Sequence, residues 1–311
     1  MKELRLHEGE LPEEIREAAE LSLFNRQCHL RSQKNSALHS FYFVSGETAL
    51  ASIHFNIENS IAISLPHVPF GSVEFSKALR PETLSDFLEQ VESRLLAINV
   101  RKIIIKNPPH IYSKEQLSLL NFVFLNKKYK VTHTVLTASI IVGQDSFRAR
   151  IKANELRRLK KCERENFSFR ELSIMDMEIV YDFIYDCRQE RNQSLSMKRE
   201  ELRQTINFCN QDFFLFGVFA ENEMIAASIT VLVNKNVLYN FYPAYLHAYH
   251  AFSPTVMLIE GMYKWCQSKE ITLLDLGSSV LEGHTNFSLL NFKLNVGGSL
   301  SMKLTFEKEW Q

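Results

Sequence analysis

The feature that most constrains this chain is a repeat. Its secondary-structure signals occur twice in the same order, at an offset of about 170 residues. In the first half, the alternating runs "ALHSFYFV", "TALASIHFNI" and "SIAISL" are broken at "SGE" and "ENS", which predicts an antiparallel meander. "RPETLSDFLEQVESRLLAIN" follows, with Leu84, Phe87, Leu88, Val91 and Leu95 at helical spacing behind a proline. "RKIIIK" reads as a buried strand, "SKEQLSLLNFVFLNKK" as a helix and "YKVTHTVLTASIIV" as a long strand. The second half begins with the basic helix "FRARIKANELRRLKKCEREN" and the strand "FSFREL", and two further helical segments lead into a meander of "FFLFGVFA", "MIAASITVLV" and "VLYNFYPAYL". A proline-led helix, "PTVMLIEGMYKWCQ", the buried strand "ITLLDLG" and a last strand "SLSMKLTFEKEW" complete it. The expected fold is α+β, with two tandem domains spanning 1–145 and 146–311. Each is a mixed, mostly antiparallel sheet flanked by helices. Near the N-terminus, "LPEEIREAAELSLFNR" (Leu11–Arg26) predicts one more amphipathic helix.

Charge excludes some partners. Lys plus Arg is 36 and Asp plus Glu is 36, so no overall field draws the chain to a polyanion, and any nucleic-acid or membrane contact has to be local. The five cysteines are scattered without a CxxC pair and read as reduced thiols. No signal peptide or apolar span of about 20 residues is visible, so a cytoplasmic protein is expected.

One stretch, "NFSLLNFKLNVGG", supports two incompatible structures. In twos, it is a strand turning at Gly297-Gly298, with Lys293 in water. At helical spacing, Lys293 and Asn286 lie together within an apolar arc, where an ammonium requires a polar partner. The repeat favours the helix, because the counterpart "SKEQLSLLNFVFLNKK" has helix formers and no turn signal.

Three segments carry a family resemblance over nearly the whole chain. "SLPHVPFGSVEF" is similar to a Pro…Pro-Phe-Gly-Gly segment, "LLDLGSS" to an Asp-Leu-Gly strand end, and "NFKLNVGG" to a Phe-Lys…Phe-Gly-Gly helix terminus. In this order they resemble the GNAT acyltransferase fold in its tandem, FemAB-like form. That resemblance implies transfer of an acyl or aminoacyl group to an amine acceptor, a small molecule or a peptide. The donor would be a co-substrate, either aminoacyl-tRNA or acyl-CoA, with no permanently bound cofactor and no metal. The glycine-rich loop whose amides hold the coenzyme A pyrophosphate in GNAT enzymes is replaced here by "LHAYHAFSPT". An acetyl-CoA-dependent enzyme and a non-catalytic binding protein of the same fold are the alternatives.

The resemblance places Lys293 at the active site, where a cation stabilises the oxyanion of acyl transfer or binds a donor phosphate. It also implies that "VLYNFYPAYL" and "LLDLG" splay apart to admit the acyl donor. Strand alternation puts Leu238, Asn240 and Tyr242 on one face, opposite Tyr239 and Phe241. Tyr242 is then the candidate to bind substrate or shuttle a proton, and Asn240 the candidate to orient it. Ser278 and Ser279, at the strand end after Asp275, either bind substrate or cap the next helix. Asn286 and Phe292 join the set from the Lys293 helix. His67 and Phe70, in "PHVPF", are expected at the acceptor site or serve as a rigid connector. Arg157, Lys161 and Arg164 share a helical face that either meets phosphates or is simply solvated. His247 and His250 lack a third metal ligand at suitable spacing. There is no nucleophile elbow and no P-loop.

Overall fold

The structure, a computed structural model, describes residues 4–32, 38–281 and 283–310. The chain forms two compact units, the first of residues 1–135 with 301–311, the second of residues 136–300. This division differs from one at 145/146 in two places: residues 136–145 belong to the second unit, and the last strand, from Ser301 on, belongs to the first.

The first unit contains β1 (Leu4–Glu8), β2 (Arg16–Glu17), α1 (Gln27–Ser32), β3 (Leu38–Ser45), β4 (Thr48–Glu58), β5 (Ile61–Ile63), β6 (Glu74–Phe75), α2 (Pro81–Ala97), β7 (Lys102–Lys106) and α3 (Lys114–Asn126). The second contains most of its elements from β8 (Lys130–Ile141) onward: α4 (Ala153–Arg164), β9 (Ser168–Leu172), α5 (Met177–Gln189), α6 (Arg199–Phe208), β10 (Phe213–Ala220), β11 (Glu223–Asn234), β12 (Val237–Tyr245), α7 (Pro254–Ser268), β13 (Leu273–Ser278), the short pair β14 (Val280–Leu281) and β15 (His284–Thr285), and α8 (Phe287–Asn295). β16 (Ser299–Glu309) returns to the first unit from Ser301 on.

The strand order is β1-β3-β4-β5-β7-β16 in the first unit and β8-β13-β12-β11-β10-β9 in the second. Within each main ladder one pair is parallel, β5 with β7 and β12 with β13. The mixed α+β sheet of the repeat is thus present in both units.

Packing follows the sequence pattern. α2 opens on Pro81 and buries Leu84, Phe87, Leu88, Val91 and Leu95, one stripe of an amphipathic helix. That stripe packs into an aromatic core that includes Phe41, Phe43, Phe55 and Phe124. Phe306 of β16 is fully buried in the same core, its ring 5.0 Å from that of Phe124. The C-terminal strand is therefore part of the first unit's interior.

One expectation changes on inspection, and one ambiguity is resolved. Leu11–Arg26 is not a helix. Arg16 N–H donates to Glu47 O (2.9 Å) and Ala18 N–H to Ala49 O (2.8 Å), so this segment pairs with the start of β4 as β2. Leu11 and Ile15 pack on Tyr42, Val44 and Ala49. Tertiary pairing outweighs the helix propensity of this acidic run. Conversely, "NFSLLNFKLNV" is a helix, α8, and Gly297-Gly298 ends it. Gly298 N–H donates to Lys293 O (2.9 Å) and Gly297 N–H to Leu294 O (3.1 Å), the two bonds of a Schellman cap. Gly297 has φ +88°, and a Cβ on Gly298 would come within 2.6 Å of Lys293 O. The glycine pair that suggested a hairpin is a helix stop.

Candidate active site

The site in the second unit is made by two strands that part. β12 and β13 pair over Val237–Leu273, Leu238–Leu274 and Tyr239–Asp275, and among the described residues their ladder goes no further. Both strands are bulged where they diverge. On β12, Asn240 faces Thr230 and Tyr242 faces Ile229, leaving Phe241 as the extra residue. On β13, Asp275 pairs with Ser139 and Ser278 with Thr137, so Leu276 and Gly277 oppose one residue. Gly277 takes φ +73°, and a Cβ there would meet the Tyr239 ring at 3.2 Å.

α8 brings Lys293 to this bulge. Its side chain is buried, and its ammonium donates to Gly277 O (3.0 Å) and Ser278 O (2.6 Å). The third ammonium proton has no acceptor among the described residues. Burial lowers the amine to about 8, opposed by the nearby Asp275 charge. Asp275 is itself buried and accepts from Gly277 N–H (2.8 Å) and Ser139 Oγ (3.2 Å), which fixes the bulge. Burial, then Asp275, raises the Tyr239 phenol, so it stays a protonated donor near neutrality.

The other expected residues are distributed differently. The bulge at Phe241 reverses the strand alternation, so Asn240 and Tyr242 do not share a face. Asn240 is buried, and its Oδ1 accepts from Ser228 Oγ. The Tyr242 hydroxyl pairs with Ser196 Oγ and accepts from Met197 N–H (3.0 Å), in the α5–α6 connection. Burial raises that phenol. Tyr239, assigned by alternation to the opposite face, is the tyrosine against Gly277. Nothing in the run "VLYNFYPAYL" marks the bulge that makes this so.

Ser278 contributes its carbonyl to Lys293, while its side chain is exposed. Asn286 is the N-cap of α8, accepting from Leu289 N–H (2.9 Å), and Phe292 is partly buried against the second core. In the first unit His67 is exposed. Phe70 is buried, edge-on to Phe24 (5.0 Å) and Tyr112 (5.7 Å), so its ring is committed to packing.

Other chemistries find little support. Burial pushes Cys162 and Cys187 to about 11 and Cys266 to about 12, which disfavours thiolate nucleophiles. Among the described residues no group of His, Cys, Asp and Glu is arranged to hold a metal ion, and no helix is long and apolar enough to cross a membrane. The loop after β12 bonds largely to itself. Tyr249 N–H donates to Leu246 O, His250 N–H to His247 O and Phe252 N–H to Tyr249 O. Those three amides are engaged within the loop itself.

The profile of the acetyltransferase (GNAT) domain family matches residues 146–287. A search of curated proteins by sequence found no match. Among solved structures, the chain is similar to FemX at 12% identity, covering 93% of this chain and 92% of that one, with a TM-score of 0.66. It is similar to L-PGS from Bacillus licheniformis at 12% identity, 84% and 82% coverage and a TM-score of 0.57. A tandem GNAT protein from the clavulanic acid biosynthesis pathway is 8% identical, with 89% and 84% coverage and a TM-score of 0.50. Residues 146–287 thus match the acetyltransferase (GNAT) domain family, and the chain has the fold of FemX and of a tandem GNAT protein. Its fold is the tandem, FemAB-like one.

Proposed function

We propose that this enzyme transfers an acyl or aminoacyl group to an amine where β12 and β13 part, with Lys293 as the electrophilic residue. The observation that carries the proposal is the buried ammonium, held by two backbone carbonyls with one proton left over. A neutral acceptor amine attacks the donor carbonyl carbon and a C–N bond forms. The carbonyl electron pair moves to oxygen, and the remaining Lys293 proton meets that oxyanion in a water-poor setting where a charge-assisted bond is strongest. The intermediate collapses as the bond from carbonyl carbon to the donor's leaving oxygen or sulfur breaks. The leaving atom takes up the proton released by the amine.

Tyr239 lines the same opening and helps orient the donor. Tyr242 acts indirectly, by anchoring the connection between α5 and α6 through Ser196 and Met197. We favour aminoacyl-tRNA over acyl-CoA as the donor, because the loop after β12 uses its own amides internally. The test is to incubate the enzyme with radiolabelled aminoacyl-tRNAs and, separately, acetyl-CoA, each with a set of small primary amines. Consumption of a charged tRNA, lost in Lys293→Ala, is expected. Acetyl-CoA turnover with micromolar affinity would replace the donor assignment, and full turnover by Lys293→Ala would remove the lysine's role.

A further inference from the structure

We propose that the Ser279 hydroxyl is a second hydrogen-bond donor to the acyl carbonyl oxygen, acting beside Lys293. The proposal rests on acyl transfer taking place where β12 and β13 part. Ser279 is 2% exposed, and it is the only serine among the described residues whose buried hydroxyl oxygen has no partner. Other buried serines have partners in comparable settings. Ser64 Oγ accepts from Lys106 N–H, Ser72 Oγ donates to Asn107 Oδ1, and Ser139 Oγ donates to Asp275 Oδ1. A buried hydroxyl without a bond destabilises the free protein, so folding alone does not account for this one.

Its surroundings point to a ligand. The Ser278 carbonyl, one peptide bond away, receives the Lys293 ammonium at 2.6 Å. The Ser279 carbonyl accepts from Asn286 N–H at 2.8 Å, so the main chain is fixed on both sides of the side chain. The capping role open to such a serine is already filled, because Asn286 Oδ1 caps α8. What remains is a preset hydroxyl on the residue after the carbonyl that holds the cation, in the segment where the strands separate. A developing oxyanion has more than one lone pair to satisfy, and one remaining lysine proton meets only one of them. A neutral hydroxyl in that segment completes the pair of donors that such an oxygen needs.

The experiment compares Ser279→Ala with Lys293→Ala and the parent, measuring both turnover of labelled aminoacyl-tRNAs or acetyl-CoA and thermal unfolding of the free protein. Ser279→Ala is expected to slow transfer about 100-fold. Its melting temperature is expected to stay level or rise by about 2 °C, since a destabilising hydroxyl has gone. A fall in melting temperature of several degrees would mean that the hydroxyl holds the native structure, which overturns the inference whatever the enzyme consumes. Parental turnover in Ser279→Ala, on a donor that Lys293→Ala no longer uses, overturns it while leaving the lysine's role intact. Full turnover by Lys293→Ala is the separate failure of the site assignment itself. If neither donor is consumed, the unfolding measurement decides alone.

Discussion

Lys106 in the first unit and Lys293 in the second are locally alike. Burial lowers each amine to about 8. Each ammonium donates to two backbone carbonyls, Pro66 O and Val68 O for Lys106, Gly277 O and Ser278 O for Lys293. Each sits where the parallel pair of its sheet comes apart. The difference lies in what fills the opening. In the first unit Ser64 N–H still bonds Ile104 O, the chain bulges out over residues 65–70, and Gly71 N–H rejoins the ladder at Lys106 O. Lys106 and Lys303 grip that loop from within, Lys303 through Pro69 O at 2.6 Å. The opening is closed by the unit's own chain. In the second unit the corresponding opening has Asp275, Tyr239 and an unpartnered Ser279 hydroxyl along it. A buried lysine with a lowered pKa therefore does not identify a site by itself. What distinguishes the two units is that the first unit's loop is tied back onto the ladder, whereas the segment beside Lys293 keeps a buried hydroxyl without a partner.

The largest expected effect tests that difference directly. Lys293→Ala and Lys106→Ala each leave two carbonyls without a donor, so each is expected to lose about 1–3 kcal/mol in urea unfolding. Only Lys293→Ala is expected to lose about 1,000-fold in kcat/KM, roughly 4 kcal/mol of transition-state stabilisation. Equal losses of activity in the two variants would break the comparison.

Much of this architecture is legible in the sequence, because each half decodes the other. The Gly-Gly signal at 297–298 suggests a hairpin until the helical counterpart in the first half is set beside it. α3 ends as α8 does, with Lys128 N–H on Leu125 O and Tyr129 N–H on Phe124 O. The burial of Lys293 within the apolar arc of α8 was legible for the same reason. What escaped depends on long-range register. Phe241 is an ordinary strand residue, so the bulge that separates Asn240 from Tyr242 and favours Tyr239 leaves no local trace. The acidic run before Arg26 has helix propensity, and only its pairing with β4 overrides this. The transfer of β16 to the first unit likewise follows from pairing with β7, not from any boundary signal.

The two helix stops give the next contrast. At the equivalent position Lys128 takes φ +68° while the second unit has Gly297 at φ +88°. Lys128→Gly is expected to stabilise the first unit by about 0.5–1 kcal/mol, with no change in turnover. Gly298→Ala is expected to cost at least tenfold in turnover, because its Cβ would come within 2.6 Å of Lys293 O and displace the last turn of α8. Urea midpoints and initial rates on the same preparations check both.

The pH dependence of Lys293 separates function from stability. The ammonium is the form that meets an oxyanion, so turnover is expected to fall as pH rises through about 8. Stability goes the other way. The unfolded lysine, at 10.5, binds a proton that the folded one at about 8 has lost, so this group makes folding more favourable as pH rises across that interval. A joint fall of rate and stability above pH 8 would mean that unfolding, not loss of the ammonium, limits activity.

The smallest effect concerns the face of the first sheet beneath residues 11–32. There Glu17 is raised to about 7 by burial and then by Glu74, and buried Tyr42 lies close enough to feel its charge. Glu17 Oε1, Asn25 Oδ1, His29 Nδ1 and His54 Nε2 are buried there without partners. The counterpart segment in the second unit is α5 and α6, where Tyr242 has a full set of partners. Since the folded Glu17 holds its proton to higher pH than the unfolded 4.5, its contribution is most favourable below 4.5 and is lost as pH rises towards about 7. Glu17→Gln keeps the shape and removes the charge, so its stability relative to the parent should rise over that interval, by on the order of 1 kcal/mol, and level off above it. Unfolding curves collected at pH 5 and pH 8 decide the point. A difference between variant and parent that stays constant with pH would mean that the extended segment, unlike its helical counterpart, does not rest on a protonated carboxyl.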